Sequence, residues 1–137
     1  MLWRVIVRFP DGTEVQATGV GRPDGDPPPT FGLYLDHCWA DFGPPWEHVV
    51  IDWPDFELPV DRVGACAEIR SAFHRAQAGQ RVEVGCVGGS GRTGTVLACM
   101  AILAGVPAGS AVNWLRQAYK RSAVETREQE RFVEGFD

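Results

Sequence analysis

The chain has 137 residues, 45% of them hydrophobic and 23% charged, with a formal net charge of −5. A chain of this size buries roughly two-thirds of its unfolded surface and needs no staples, so it reads as one soluble domain spanning residues 1–137. The acidic balance excludes nucleic acid and anionic membranes as expected partners, and four cysteines without framework spacing fit a reducing compartment.

Trp3 to Phe9 and Thr13 to Thr18 flank Asp11-Gly12, a strong hairpin signal, so the chain is expected to open with a β-hairpin. Arg4 interrupts the first apolar run and no small-residue cleavage site follows, which reads as a strand and not as a signal peptide. The Pro- and Gly-rich stretch from Gly21 to Thr30 reads as a loop. Phe31 to His37 and Glu47 to Asp52 read as strands. Asp61 to Ala78 has apolar residues at 63, 66, 69, 73 and 76 and ends at Gly79, which predicts a helix with its cap.

Gln80 to Val84 alternates polar and β-branched residues and predicts another strand. The glycine-rich run Gly85-Cys86-Val87-Gly88-Gly89-Ser90-Gly91-Arg92-Thr93 follows, and then an apolar stretch without breakers until Gly105. A strand therefore feeds a loop and a buried helix starting near Arg92. Further helices are expected from about Ala108 and from Thr126, where Gln129 three residues on completes a capping-box pattern. The strand before Asp55, the helix from Asp61 and the strand before Cys86 form a βαβ unit, which brings both following loops to one carboxyl edge. The expected fold is α/β: a sandwich whose central, mostly parallel sheet is flanked by helices, with the hairpin at its N-terminus.

The glycines at 88, 89 and 91 free the backbone of the loop to curl, so that successive N–H groups point inward at the head of a helix. Such a loop holds an anion. A cysteine at its mouth sees the same N–H groups and the same positive field, which favours its thiolate and marks Cys86 as a nucleophile. Arg92 keeps its charge and presents a planar fork to two oxygens, and Thr93 offers a hydroxyl to the sulfur. Val87, Gly88, Gly89, Ser90, Gly91 and Arg92 are the expected phosphate-binding loop. A dinucleotide site needs a following strand ending in an acidic residue, where this chain has a helical pattern from Val106 to Arg121. A Walker A loop needs glycine at Cys86 and lysine at Arg92.

Upstream, Trp53-Pro54-Asp55-Phe56-Glu57-Leu58-Pro59 places a carboxylate on a proline-bracketed loop. A thiolate that attacks a phosphate monoester expels an oxygen that needs a proton, and Asp55 is the natural donor. The competing account makes Trp53 and Phe56 core anchors and Asp55 a turn residue.

With Cys, five residues, Arg and Thr preceded by Trp-Pro-Asp, the chain resembles the cysteine-dependent protein tyrosine and dual-specificity phosphatase superfamily, in particular its small bacterial members. The resemblance runs from about Val49 onward. It implies Cys86 as nucleophile, Arg92 as phosphate ligand, Asp55 as general acid and Thr93 as the hydroxyl that helps expel the thiolate. It also implies that Gln129, with Glu125 in place of a second glutamine, positions the hydrolytic water; the capping box is the alternative for Gln129. Gly85 replaces the family's usual histidine.

The resulting expectation is a metal-independent phosphomonoester hydrolase, tyrosine-directed or dual-specificity, working through a phosphocysteine on a phosphorylated protein or small phosphomonoester. The alternative is a pseudophosphatase that binds phosphate esters with little turnover. A rhodanese-type sulfurtransferase needs no general acid upstream. No cofactor or metal is expected, since His37, His48 and His74 show no ligand spacing, and the protein is expected to be a cytoplasmic monomer. Phe31, Tyr34, Trp39, Phe42 and Trp46 form an aromatic stretch that reads as core packing in the first instance and as a pocket wall in the second. Cys66 and Cys99 read as core residues, and Cys38 takes no assignment.

Overall fold

The computed structural model, which describes residues 4–19, 27–87 and 90–136, alternates buried with less buried residues along the strands of the hairpin and buries every residue of the central strands. β1 (Arg4–Arg8) and β2 (Glu14–Thr18) form the expected hairpin, with Arg8 opposite Glu14 and Gly12 at φ 90° in the turn. β3 (Phe31–Tyr34), β4 (Glu47–Val50) and β5 (Val82–Gly85) complete a sheet ordered β1-β2-β5-β3-β4, whose only antiparallel pairing among the described residues is the hairpin. Met1 to Trp3, Gly21 to Asp26, Gly88 and Gly89 lie outside the described residues.

Val82 and Val84 of β5, Leu33 of β3 and Val15 and Ala17 of β2 share the core with the helices. α2 (Arg62–Gln77) starts where Asp61 accepts a hydrogen bond from the Gly64 amide at 2.9 Å and stops before Gly79 at φ 93°. Its buried stripe is Ala65, Ile69, Ala72, Phe73 and Ala76, so it is rotated from the expected one. Val63, counted as core by spacing, is 82% exposed at the solvent end of the first turn.

α3 (Gly91–Leu103) is buried on all sides from Gly91 to Ala101, which explains a helix with no polar face. It packs on α2, on α4 (Ala111–Ala118) and on α5 (Arg127–Glu134). α4 is shorter than the pattern from Val106 to Arg121 suggests: a 3-10 turn at Ala108–Ser110 precedes it and it ends at Tyr119. Thr126 and Gln129 form the capping box that opens α5, as expected.

One helix went unread in the sequence. α1 (Cys38–Phe42) follows β3 in place of the longer strand expected to His37, because the Asp36 carboxylate accepts from the Cys38 amide at 2.9 Å and turns the chain. α1 lays Trp39 flat on Tyr34 at a ring separation of 4.0 Å. Phe31, Tyr34 and Trp39 are therefore core, Trp46 is half-buried with its indole N–H on the Tyr34 hydroxyl, and Phe42 is 54% exposed.

Candidate active site

Three parallel strands end at one edge, and each delivers a residue to the same place. β5 ends at Gly85 and hands on Cys86, which is buried; β3 is followed by Asp36; β4 is followed by Trp53 and Asp55. This is the carboxyl-edge convergence that the βαβ reading requires.

Thr93, in the first turn of α3, donates its hydroxyl to the Cys86 sulfur at 3.0 Å. Arg92, beside it on the same turn, runs beneath the loops with its side chain 5% exposed. Its Nη1 donates to the Leu35 and Trp53 carbonyls, both at 2.9 Å, which ties it to the ends of β3 and β4. Nη2 pairs with Asp36 at 2.9 Å. Nε is buried without a hydrogen-bond acceptor and has the Asp55 carboxylate at 3.5 Å, an ion-pair distance. A buried guanidinium edge that lacks an acceptor is a donor waiting for an oxygen anion.

Asp36 is the participant that sequence reading missed. Burial pushes its carboxyl up, but the hydrogen bonds from Cys38 and Arg92 outweigh this and hold it below the usual carboxylate value. It is an anion at neutral pH and fixes one end of Arg92. Its signal was topological: it stands just past a strand that pairs directly with β5. Asp52, nearer Asp55 in sequence, points elsewhere and pairs with exposed His37 at 3.2 Å.

Gly85 stands where the sequence comparison expects histidine, and its surroundings explain the exchange. A Cβ at that position would lie 3.1 Å from Thr18 and from the Trp39 ring, so the stack of Trp39 on Tyr34 occupies the space. The loop is instead buttressed from its far side by the segment before α5. The Val124 amide donates to the Ser90 carbonyl at 3.1 Å, and Glu125 lies against Gly91, where a side chain would collide with its carboxylate. Gly94 is equally constrained, since a Cβ there would come within 2.8 Å of the Val124 nitrogen.

Val124 itself has φ 63°, a conformation that costs a β-branched residue about 1–3 kcal/mol. Arg116 of α4 holds it there, donating to the Ala123 and Val124 carbonyls at 2.8 Å each. Phe56, next to Asp55, is at φ 64° and 59% exposed, so the acid-bearing loop is strained as well. The Gln129 side chain is fully buried; its oxygen accepts from the Glu125 and Thr126 amides and its nitrogen donates to the Glu57 carbonyl.

The remaining cysteines do not compete with Cys86. Burial, then the Asp36 carboxylate, pushes the Cys38 thiol up to about 11, and burial also raises Cys66 and Cys99. Tyr119, at the end of α4, has its hydroxyl pushed up to about 12 by burial and then by the proximity of Cys86. Among the described residues no three His, Cys, Asp or Glu side chains are grouped to hold a metal ion, and no helix is long and apolar enough to cross a membrane.

Comparison with known proteins gives the family and the fold. The model of the family described as "PTP-SAK: Swiss Army Knife protein, DSP-PTPase phosphatase domain" matches residues 30–133. A protein of Methanocaldococcus jannaschii named Uncharacterized protein MJECL20 is 53% identical over 55 residues, which cover 40% of this chain and 36% of that protein. The match thus spans about a third of that relative's length. The fold of Tk-PTP, crystallised in its active form, superposes with a TM-score of 0.71 at 22% identity, covering 95% of both chains. Kinase associated phosphatase carrying a serine in place of its catalytic-site cysteine superposes with a TM-score of 0.74 at 11% identity, over 97% of this chain and 93% of that one. These likenesses are to the fold.

Proposed function

The chain belongs to the DSP-PTPase phosphatase domain family of the PTP-SAK type, and from that membership we propose that it is a metal-independent phosphomonoester hydrolase working through a phosphocysteine at Cys86. The observation that carries this reading is the buried Arg92 Nε, which lacks an acceptor, on the turn whose Thr93 hydroxyl bonds the Cys86 sulfur.

In the proposed reaction the Cys86 sulfur attacks phosphorus as Arg92 and the loop amides from Val87 to Arg92 grip the non-bridging oxygens. The phosphorus–oxygen ester bond breaks and Asp55 gives its proton to the departing oxygen. Water then attacks the phosphocysteine and yields its proton to Asp55. Thr93 donates to the sulfur as it leaves, and inorganic phosphate is released. The Arg92 ties to Leu35, Trp53 and Asp36 hold the guanidinium in place before substrate arrives, so little reorganisation is needed.

Exposed Phe56 beside Asp55 and exposed Val87 beside Cys86 supply apolar rims that suit an aryl ester, which favours phosphotyrosine among the proposed protein substrates; phosphoserine, phosphothreonine and small phosphomonoesters share the same chemistry. A cytoplasmic, monomeric protein is part of the proposal, the reducing compartment resting on four cysteines without framework spacing.

Rapid acid quenching during turnover of a labelled phosphotyrosine peptide should trap phosphate on the peptide containing Cys86, and EDTA should leave the yield unchanged. Hydrolysis without such a label, or hydrolysis that requires added zinc or magnesium, would count against the covalent scheme. Arg92→Lys keeps the charge but loses the fork and its carbonyl ties, so kcat/KM on an aryl phosphate should fall by on the order of 10²-fold with KM raised. Wild-type kinetics in that variant would make Arg92 a structural residue only.

A further inference from the structure

One carbonyl of the loop that carries Asp55 collects two side-chain donors. Glu57 O accepts from the Trp53 indole N–H at 2.7 Å and from the Gln129 Nε2 at 3.2 Å. The Trp53 bond is internal to the loop and closes it on itself. The Gln129 bond reaches across the molecule to α5, and it belongs to a side chain with no freedom left: Gln129 is 0% exposed, and its oxygen is committed to the amides of Glu125 at 2.9 Å and Thr126 at 3.2 Å. Those amides directly follow Val124, whose own amide supports the anion loop at Ser90. One amide group therefore joins the acid loop to the buttress of the nucleophile's loop.

The loop has reason to need this. Phe56 sits at φ 64°, where a bulky residue is strained, and Asp55 is an exposed residue whose Oδ1 accepts from the neighbouring Phe56 amide at 3.0 Å and meets Arg92 at an ion-pair distance of 3.5 Å. Neither contact ties the loop to α5. Trp53 also packs edge-on against Phe132 of α5 at 5.7 Å, so α5 is the body on which the loop rests.

We propose that Gln129 is a positioning residue for proton donation, acting through Glu57 O to hold Asp55 at the nucleophile, in addition to capping α5. This rests on the reading of Asp55 as general acid given above. It differs from direction of the hydrolytic water, because the amide oxygen is committed to two backbone amides and one N–H of the nitrogen to Glu57 O.

Gln129→Glu separates the two duties. The carboxylate still accepts from the Glu125 and Thr126 amides, but when ionised it has no proton for Glu57 O. With phenyl phosphate, a poor leaving group, kcat/KM should fall by about 10- to 100-fold. With an aryl phosphate whose leaving group is already a weak base it should change by less than about threefold. In an Asp55→Asn background Gln129→Glu should cause no further loss with either substrate, since a residue acting through Asp55 has nothing left to position. Equal losses on both substrates, or a full additional loss in the Asp55→Asn background, would overturn the proposal in favour of water positioning or a purely structural role. Hydrogen exchange reads the strut without any activity: the amides of Asp55 to Leu58 and of Val60 should exchange faster in Gln129→Glu while those of α3 keep their protection. Unchanged exchange at those loop amides would overturn the proposal even if the chain proved to hydrolyse nothing, whereas an inactive wild type with the exchange difference intact would count against the phosphatase reading and leave the strut standing.

Discussion

Cys86→Ser should abolish hydrolysis of an aryl phosphate, by at least about 10⁴-fold in kcat, without loss of the folded state. A serine hydroxyl takes the position of the thiol, accepts from the Thr93 hydroxyl as the sulfur does at 3.0 Å, and fits a site whose residue is 2% exposed. It is hardly ionised at neutral pH, so the attack is lost while the anion loop and Arg92 remain. Vanadate and substrate should still bind the variant, and its thermal midpoint should stay within a few degrees of wild type. Turnover near wild type would remove the covalent mechanism. Loss of phosphate binding together with turnover would show that the sulfur also holds the loop in shape.

Asp55→Ala is expected to divide substrates by their leaving groups. Phosphate esters should bind about as well as before, because Asp36 continues to hold Arg92 at 2.9 Å. For poor leaving groups turnover should drop by roughly 10²- to 10⁴-fold, since the oxygen must depart unprotonated. For a nitrophenolate the loss should be much smaller. A uniform loss across leaving groups would make Asp55 a loop-positioning residue. The next carboxylate to test is then Asp36, which touches Arg92, and not Asp52, which is engaged with His37 on the surface.

Much of this site was legible along the chain because its parts are local. The proposed anion loop is signalled by glycines between a strand and a helix, and Cys86, Arg92 and Thr93 stand close together in sequence at the junction of β5 and α3, so spacing alone brings them to one place. The hairpin turn at Asp11-Gly12, the Asp61 cap and the Thr126–Gln129 capping box are equally local, each closed by hydrogen bonds a few residues apart. The parallel strands of the βαβ unit then brought Asp55 to the same edge as Cys86 without knowledge of any contact.

Tertiary structure decided what depends on partners distant in sequence. Val63 obeys the spacing of a buried stripe, yet it sits at the helix end that no neighbour covers. Asp36 became an arginine ligand only because β3 is inserted between β4 and β5, which no periodicity in Phe31 to Tyr34 announces. Gly85 is explained by an aromatic stack contributed by β3 and α1, and Val124 by an arginine of α4. Gln129 shows the division within one side chain. Its capping bonds, to residues three and four positions back, are fixed by helix geometry and could be read from Thr126 and Gln129 alone; its bond to Glu57 exists because α5 is folded against the acid loop, an arrangement set by the packing of Trp53 on Phe132 and of α5 on α3.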